Sequence, residues 1–457
     1  MKKLLSGFMA VAMALSISVV PVSASELAEY SITDANAVRL LGRGEVSADG
    51  SRTFNWSNAG FEFEFTGTEA YVNATSGYGI SYFNVSVDNG TPQRILINNT
   101  GRTELCSGLS NSKHRILFVR SSAAPRGIVK FDKIITDGQP NAVNGKLRKI
   151  EFIGDSYTTG YGNIATDEKW ETATTTDSMY SYAGYAARDL CADYTLIAYA
   201  GRGVVAGYDK NNGKEATGMP YQFSLQEICC DWDTNYNASY NMSTGKLQNY
   251  EEYDPQLAVI WLGTNDEGVG VGADVFQEAY IELLKSVRAA YPEASILCLS
   301  KVSSGYPTAV KNAVTAMGGE EKGFYYRALT TFSGSSLGHP SKAEAEVIGK
   351  ELSGYVKELN LMPDLAIEDN IAKAVIENDT DKAIEPVLIV ADYDDDGVLI
   401  RVDMSKDFEV NGVTSCEVPA GKTATIEYDV SSASNNAKVI LLNDLDGFRL
   451  AAKMVTK

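Results

Sequence analysis

Between Lys146 and Met362 short apolar runs alternate with amphipathic segments, and no other feature limits the possible folds as much. Ile150-Glu151-Phe152-Ile153 reads as a strand, Tyr180 to Cys191 as a helix, and Thr195 to Tyr199 as a second strand. Leu257 to Leu262 is a nearly continuous apolar run, as a strand covered on both faces requires. A helix from about Val275 to Ala290 follows, then strands at Ser295 to Ser300 and Phe324 to Leu329. The closing helix, about Lys342 to Leu359, sets Ile348, Leu352, Tyr355, Val356 and Leu359 on one face at helical spacing. Strands alternating with helices predict a parallel, doubly wound α/β sheet.

The flanks follow a different period. Phe61-Glu62-Phe63-Glu64-Phe65 alternates cleanly, and Tyr82 to Val87 runs into Asp88-Asn89-Gly90, a hairpin turn signal. Short strands at this spacing predict an all-β sandwich before the α/β region. After Pro363, Val387 to Ala391, Val398 to Val402, Thr423 to Tyr428 and Lys438 to Leu442 predict a small C-terminal β-sandwich. That last region loosely resembles the immunoglobulin-like modules that end many secreted bacterial enzymes. The predicted domains are therefore 25–143, 144–362 and 363–457.

The first residues are expected to be removed. Lys2 and Lys3 precede the apolar Leu4 to Val20, and Val22-Ser23-Ala24 is a small-residue cleavage pattern. Residues 1–24 thus read as a signal peptide, which predicts a secreted, soluble chain with no membrane contact after cleavage. The formal charge of −19 argues against nucleic acid, since nothing here would neutralise phosphates. Six cysteines lack zinc spacing, so no metal site is expected. Cys191 and Cys298 lie within apolar stretches and read as small core residues. The sequence carries no signal of oligomeric state.

Three separated segments carry the chemistry. Gly154-Asp155-Ser156 directly follows the strand ending at Ile153, and Gly263-Thr264-Asn265-Asp266 follows the run ending at Leu262. His339-Pro340-Ser341 stands just ahead of the last helix, where Ser341 and Glu344 match a capping box. Carboxyl ends of parallel strands are where such sheets hold ligands, so all three can converge on one rim. A hydroxyl, an imidazole and an amide there suffice for acyl transfer. The chain has two histidines, and His114 falls in the N-terminal β region. His339 is therefore the base available to Ser156.

These blocks, with the glycine-rich Ala200-Gly201-Arg202-Gly203, resemble the four blocks of the SGNH hydrolases. Gly154 to Gly162, Trp261 to Asp266 and the preceding β region further resemble carbohydrate esterase family 2. The resemblance implies a flavodoxin-like parallel sheet with helices on both faces, preceded by a jelly-roll-like β-sandwich. It also implies a secreted serine esterase that removes acetyl groups from plant polysaccharides or oligosaccharides such as xylan and glucomannan, without a cofactor. Ser156 would be the nucleophile and His339 its base. The oxyanion would be held by the Ser156 N–H, the Gly203 N–H (or that of Gly201) and the Asn265 amide. Many SGNH enzymes carry an aspartate shortly before the histidine, whereas Ser336-Leu337-Gly338 precedes His339 here. A backbone carbonyl of this loop is the expected substitute.

Other motifs point elsewhere and are outweighed. Gly334 to Gly338 matches G-x-S-x-G, but no histidine follows at the distance that elbow requires. Gly201 to Ala206 matches the dinucleotide fingerprint, but turn residues break the helix that should open there. Asp392 to Gly397 begins like a calcium loop, yet Asp403 stands where the bidentate Glu belongs, and Asp396-Gly397 reads as a hairpin turn. Trp232 and Tyr180 are the candidate sugar-stacking rings, while Trp261 reads as core. Two rivals stay open: an SGNH esterase or lipase for other acyl groups, and a non-catalytic carbohydrate-binding protein that kept the fold.

Overall fold

The computed structural model describes residues 26–457 apart from 124–126, 167–170, 208–217, 227–244, 331, 335, 379, 411 and 446–449. The expected signal peptide and Trp232 lie outside the described residues.

The central sheet has five parallel strands: Arg148–Gly154, Ala192–Ala198, Leu257–Trp261, Ser295–Lys301 and Phe324–Leu329. In sequence order they lie 2-1-3-4-5 across the sheet. Strand Leu257–Trp261 shows why both faces are apolar. Leu257, Val259 and Trp261 pack against helices Tyr182–Asp189 and Lys342–Glu358 through Ala183, Ala186, Ile348 and Leu352. Ala258 and Ile260 point the other way, toward Tyr280, Leu283 and Val310 of helices Ala273–Ala290 and Pro307–Ala316. Helices thus cover both faces, and the order reverses between the first and third strands, which marks the switch point at their carboxyl ends.

Two antiparallel sheets precede this unit, one of five strands and one of six. Phe61, Phe63 and Phe65 all turn inward on one strand, as their alternation predicts. Phe83 stacks on Phe118 at 4.6 Å, and Phe131 from the other sheet meets them edge-on at 5.2 and 5.4 Å. Asp88 and Asn89 take φ of 53° and 57° in the turn after strand Ser81–Val87, which the Gly90 N–H closes on the Val87 carbonyl at 2.8 Å. His114 lies in this region, with Nδ1 2.7 Å from Asp88, and takes no part in the site described below.

The N-terminal sheets are keyed to the central sheet by a buried ion pair. Arg43 and Glu151 meet at 2.9 Å with side chains 4% and 1% exposed. Arg43 also donates to the carbonyls of Phe223 and Leu225, and Glu151 accepts from Tyr291 at 2.8 Å and Thr195 at 3.1 Å. These hydrogen bonds surround the pair on both sides, which favours burying such charges.

Two further antiparallel sheets, of five and four strands, follow residue 364 around their own core. Arg148 ties them on, through ion pairs with Asp364 and with Glu377 at 2.9 Å and a bond to the Pro363 carbonyl at 3.0 Å. Asp394 to Gly397 forms the expected turn between strands Val387–Tyr393 and Leu399–Ser405. Cys298 is fully buried as expected, but Cys191 is a correction: it sits half-buried at φ 50° just past a helix end. The predicted helix from Tyr180 is also shorter, because Ser181 caps a new start through the Gly184 N–H and the helix runs Tyr182–Asp189.

Replacing Arg43 with Met should leave Glu151 buried without its cation. Equilibrium denaturation should show a loss of about 3–5 kcal/mol, and adding Glu151→Gln should recover part of it.

Candidate active site

The site forms where the first and third strands end. Beyond Gly154 the chain turns into a four-residue helix, Ser156–Thr159. Asp155 caps it by accepting from the Tyr157 N–H at 3.1 Å. Ser156 is its first residue, so the Ser156 N–H has no intrahelical acceptor and is free to meet a ligand. Burial raises the Asp155 carboxyl to about 7; the Tyr157 N–H opposes the shift and the Asp266 charge adds to it.

His339 arrives on a strained turn. Ser336 and His339 exchange both backbone hydrogen bonds, at 3.0 and 2.7 Å, around Leu337-Gly338. Those two residues have φ of 51° and 74°, the pattern of a two-residue I′ hairpin. Glycine accepts this freely, whereas leucine in the left-handed region costs roughly 1–2 kcal/mol. The turn is held down by the Ser336 hydroxyl, which donates to the Gly162 carbonyl, and by Leu337 packed on Gly162. The strained residue supplies what the missing aspartate would have given: the Leu337 carbonyl lies 3.0 Å from His339 Nδ1. With the proton on Nδ1, the Nε2 lone pair faces the Ser156 hydroxyl at 2.8 Å. Past the turn, Ser341 and Glu344 form the predicted capping box with both bonds present.

Aromatic rings enclose the imidazole. Tyr161 lies over it at 4.5 Å and 33°, and Tyr157 meets it at 5.1 Å and 61°. Lys301 donates to the Tyr157 hydroxyl at 2.7 Å. Burial lowers the pKa of His339, the Leu337 carbonyl opposes that, and the Lys301 charge lowers it further.

The third segment fixes the remaining donors. Asn265, on helix Thr264–Gly268, donates to Asp155 Oδ2 at 3.1 Å and to the Arg202 carbonyl at 2.9 Å. Both amide hydrogens are therefore engaged. Asp266 is fully buried and accepts three consecutive N–H groups, from Val204 at 2.9 Å, Val205 at 2.8 Å and Ala206 at 3.0 Å. This locks the loop that carries Gly203. A Cβ on Gly203 would fall 2.2 Å from the Ala206 carbonyl and 2.4 Å from Asp266 Oδ2, so only glycine fits.

The structure thus brings together Ser156, His339, Asn265 and the Gly203 loop. The Tyr180 ring lies under the Lys342 ammonium at 3.5 Å and beside Tyr185. Trp261 is core, 2% exposed, with its ring 5.1 Å from Tyr157. Sequence reasoning passed over Tyr157, Tyr161, Lys301 and Leu337. The two tyrosines had a signal, since they sit one and five residues past Ser156 in the same motif. Among the described residues no group of His, Cys, Asp and Glu side chains could hold a metal ion.

This geometry resembles that of the SGNH hydrolases, and comparison with known proteins points the same way. The family described as carbohydrate esterase 2 N-terminal matches residues 40–143, and the GDSL-like lipase/acylhydrolase family matches 152–332. The cellulase/esterase CelE of Acetivibrio thermocellus is 31% identical over 275 residues, spanning 58% of this chain and 31% of that protein. An acetylxylan esterase/glucomannan deacetylase of Cellvibrio japonicus is 28% identical over 236 residues, 50% of this chain and 59% of that protein. The chain therefore spans less than two thirds of either relative. A solved family two carbohydrate esterase from Clostridium thermocellum, in complex with cellohexaose, superposes with a TM-score of 0.62 at 28% identity, covering 71% of this chain and 100% of that one. Another from Cellvibrio japonicus, at 20% identity, shares the fold with a TM-score of 0.65 over 73% of this chain and 98% of that one. The chain resembles carbohydrate esterase family 2 over 40–143 and the GDSL-like acylhydrolases over 152–332.

Two outcomes follow from the turn and the buried imidazole. Leu337→Asn creates the Asn-Gly pair that an I′ turn favours while keeping the carbonyl. It relieves the left-handed strain but gives up the packing on Gly162, so denaturant titrations should show a net change within about 1 kcal/mol, with ester hydrolysis left in place. Since only neutral imidazole can take a proton, the acid limb of kcat/KM should fall below pH 6.5, the ordinary histidine value. Lys301→Met should move that limb upward, read from the pH–rate profile.

Proposed function

We propose that this chain is a secreted carbohydrate O-acetyl esterase that hydrolyses acetyl esters on xylan, glucomannan or related plant polysaccharides. In this reading 25–143 and 363–457 are accessory β-sandwich domains, the first jelly-roll-like, flanking an esterase domain over 144–362. The observation that carries it is the 2.8 Å bond between the Ser156 hydroxyl and His339 Nε2, with Nδ1 already committed to a carbonyl. The esterase names of the matched relatives support the same class of reaction.

Ser156 attacks the ester carbonyl as His339 takes its proton. The developing oxyanion is met by the Ser156 N–H and the Gly203 N–H, both on backbone held in place before substrate arrives. Asn265 joins them by exchanging its bond to Asp155 for one to the oxyanion. His339 then returns the proton to the leaving sugar hydroxyl, and a water activated by the same imidazole releases acetate. Each oxyanion donor is worth roughly 3–4 kcal/mol of barrier. Tyr161 and Tyr157 exclude water from the imidazole faces, and they offer apolar ring surface next to the reacting atoms.

The test is acetate release from acetylated glucomannan and xylan. Ser156→Ala should lower kcat by roughly 10⁴-fold or more without changing the melting profile. Acetyl esters should be cleaved faster than octanoyl esters, which separates this reading from a long-acyl lipase. Release that persists in Ser156→Ala, or faster octanoyl cleavage, would count against it.

A further inference from the structure

Strands Ser81–Val87 and Gln93–Ile97 of the N-terminal region set Asn84 directly opposite Arg94. Such cross-strand partners share one face of the sheet, and both of these reach the loop 173–177 of the α/β region. The Arg94 guanidinium donates to three of its carbonyls: that of Ala173, that of Thr174 at 2.8 Å and that of Thr176 at 2.6 Å. On its own side it is steadied by the Ser121 hydroxyl at 2.9 Å and by the Tyr82 ring at 4.2 Å. Asn84 donates to the Asp177 carboxylate at 2.9 Å. A guanidinium presents its donors in a rigid fork, so one side chain can set the path of several consecutive peptide groups.

The loop that Arg94 gathers is what holds up the His339 turn. Thr176 Oγ1 accepts from the Gly162 N–H at 3.0 Å, and the Thr175 carbonyl accepts from the Ile164 N–H at 3.1 Å. Between them, Asn163 Nδ2 donates to the Asp177 carbonyl at 2.8 Å, and the Asp177 N–H returns a bond to Asn163 Oδ1 at 2.9 Å. The Gly162 carbonyl accepts from the Ser336 hydroxyl, which pins the turn whose Leu337 carbonyl orients His339. An unbroken run of hydrogen bonds thus leads from an N-terminal β-strand to the imidazole. We propose that Arg94 is a positioning residue of the esterase, fixing Gly162 through the loop 173–176 and with it the aim of the Leu337 carbonyl at His339. This role presupposes the Ser156–His339 chemistry proposed above, and it gives the N-terminal sheets a part in catalysis. A carboxylate beside the histidine would orient the ring by its own charge, whereas a neutral carbonyl does so only while its turn is held. An arginine that merely fastened two regions together would affect stability and leave the ring alone.

Two readings of the full chain test this. Hydrolysis of nitrophenyl acetate reports the Ser156–His339 reaction whatever the natural polysaccharide, and nitrogen NMR of the histidine rings needs no turnover. The chain has two histidines, so His339→Gln assigns the signals. Above about pH 8, where the ring is neutral, wild-type His339 should carry its proton on Nδ1. Arg94→Met should lower kcat by about tenfold to a hundredfold with KM within about twofold, and should bring a measurable Nε2–H fraction into the spectrum. Arg94→Lys keeps the charge without the fork and should recover only part of the loss. Should Arg94→Met fold poorly, Thr176→Val breaks the bond to Gly162 with a side chain of the same shape and should move both readings the same way. An Arg94→Met chain with wild-type kcat, or a slower one whose proton stays wholly on Nδ1, overturns the proposal. Cleavage of nitrophenyl acetate without acetate release from glucomannan or xylan would instead overturn the choice of substrate, and Arg94 would still be judged by both readings.

Discussion

The hydrogen bond from His339 Nδ1 to the Leu337 carbonyl is the contact on which the site's chemistry rests, because it decides which imidazole nitrogen faces Ser156. A neutral carbonyl can fix a tautomer as well as a carboxylate can. It stabilises the imidazolium less, since a bond to an ionised acceptor is roughly twice as strong as a neutral one. The protein makes up for part of this by rigidity. The turn is pinned to the Gly160–Gly162 loop by Ser336 and Leu337, and Tyr161 and Tyr157 close on the ring from two sides. Leucine at a left-handed position is a strain that the surrounding packing holds in place.

The rest of the site is assembled by backbone placed at a topological switch point. Ser156 follows the first strand and Asn265 the third, and those strands are hydrogen-bonded neighbours, so the two segments start side by side. Asp266 then gathers the Val204, Val205 and Ala206 N–H groups and sets the height of the Gly203 loop against Asn265. Asp155, Asn265 and the Arg202 carbonyl form one chain of bonds, so the nucleophile's turn, the amide and the glycine loop move as a unit. Burial of Asp155 beside Asp266 raises its carboxyl toward neutrality, which keeps two buried carboxylates from repelling each other at full strength.

Much of this was legible because it depends on period and on local residue type. The strand Phe324–Leu329 and the helix Lys342–Glu358 fall almost where apolar spacing puts them, and the capping box at Ser341 needs only a serine and a glutamate three residues apart. Elsewhere local signals misled. The helix expected from Tyr180 starts later, since Ser181 offers its hydroxyl to the Gly184 N–H and restarts the chain. The contact of the Tyr180 ring with Lys342 joins distant parts of the chain, and no local pattern shows it.

The amino-acid order by itself determined the layered sheet, the flanking antiparallel regions and the identity of the hydroxyl, imidazole and amide. Apolar periodicity and a scarcity of histidines are properties of the chain, whatever its shape. What orients His339, what encloses it and which donors are free were decided by tertiary structure alone. A carbonyl is present at every residue and so leaves no mark in the sequence; it acquires a role only when the turn at Leu337-Gly338 aims it. The same holds for the rings of Tyr157 and Tyr161, whose work depends on an imidazole that reaches them from more than 170 positions away.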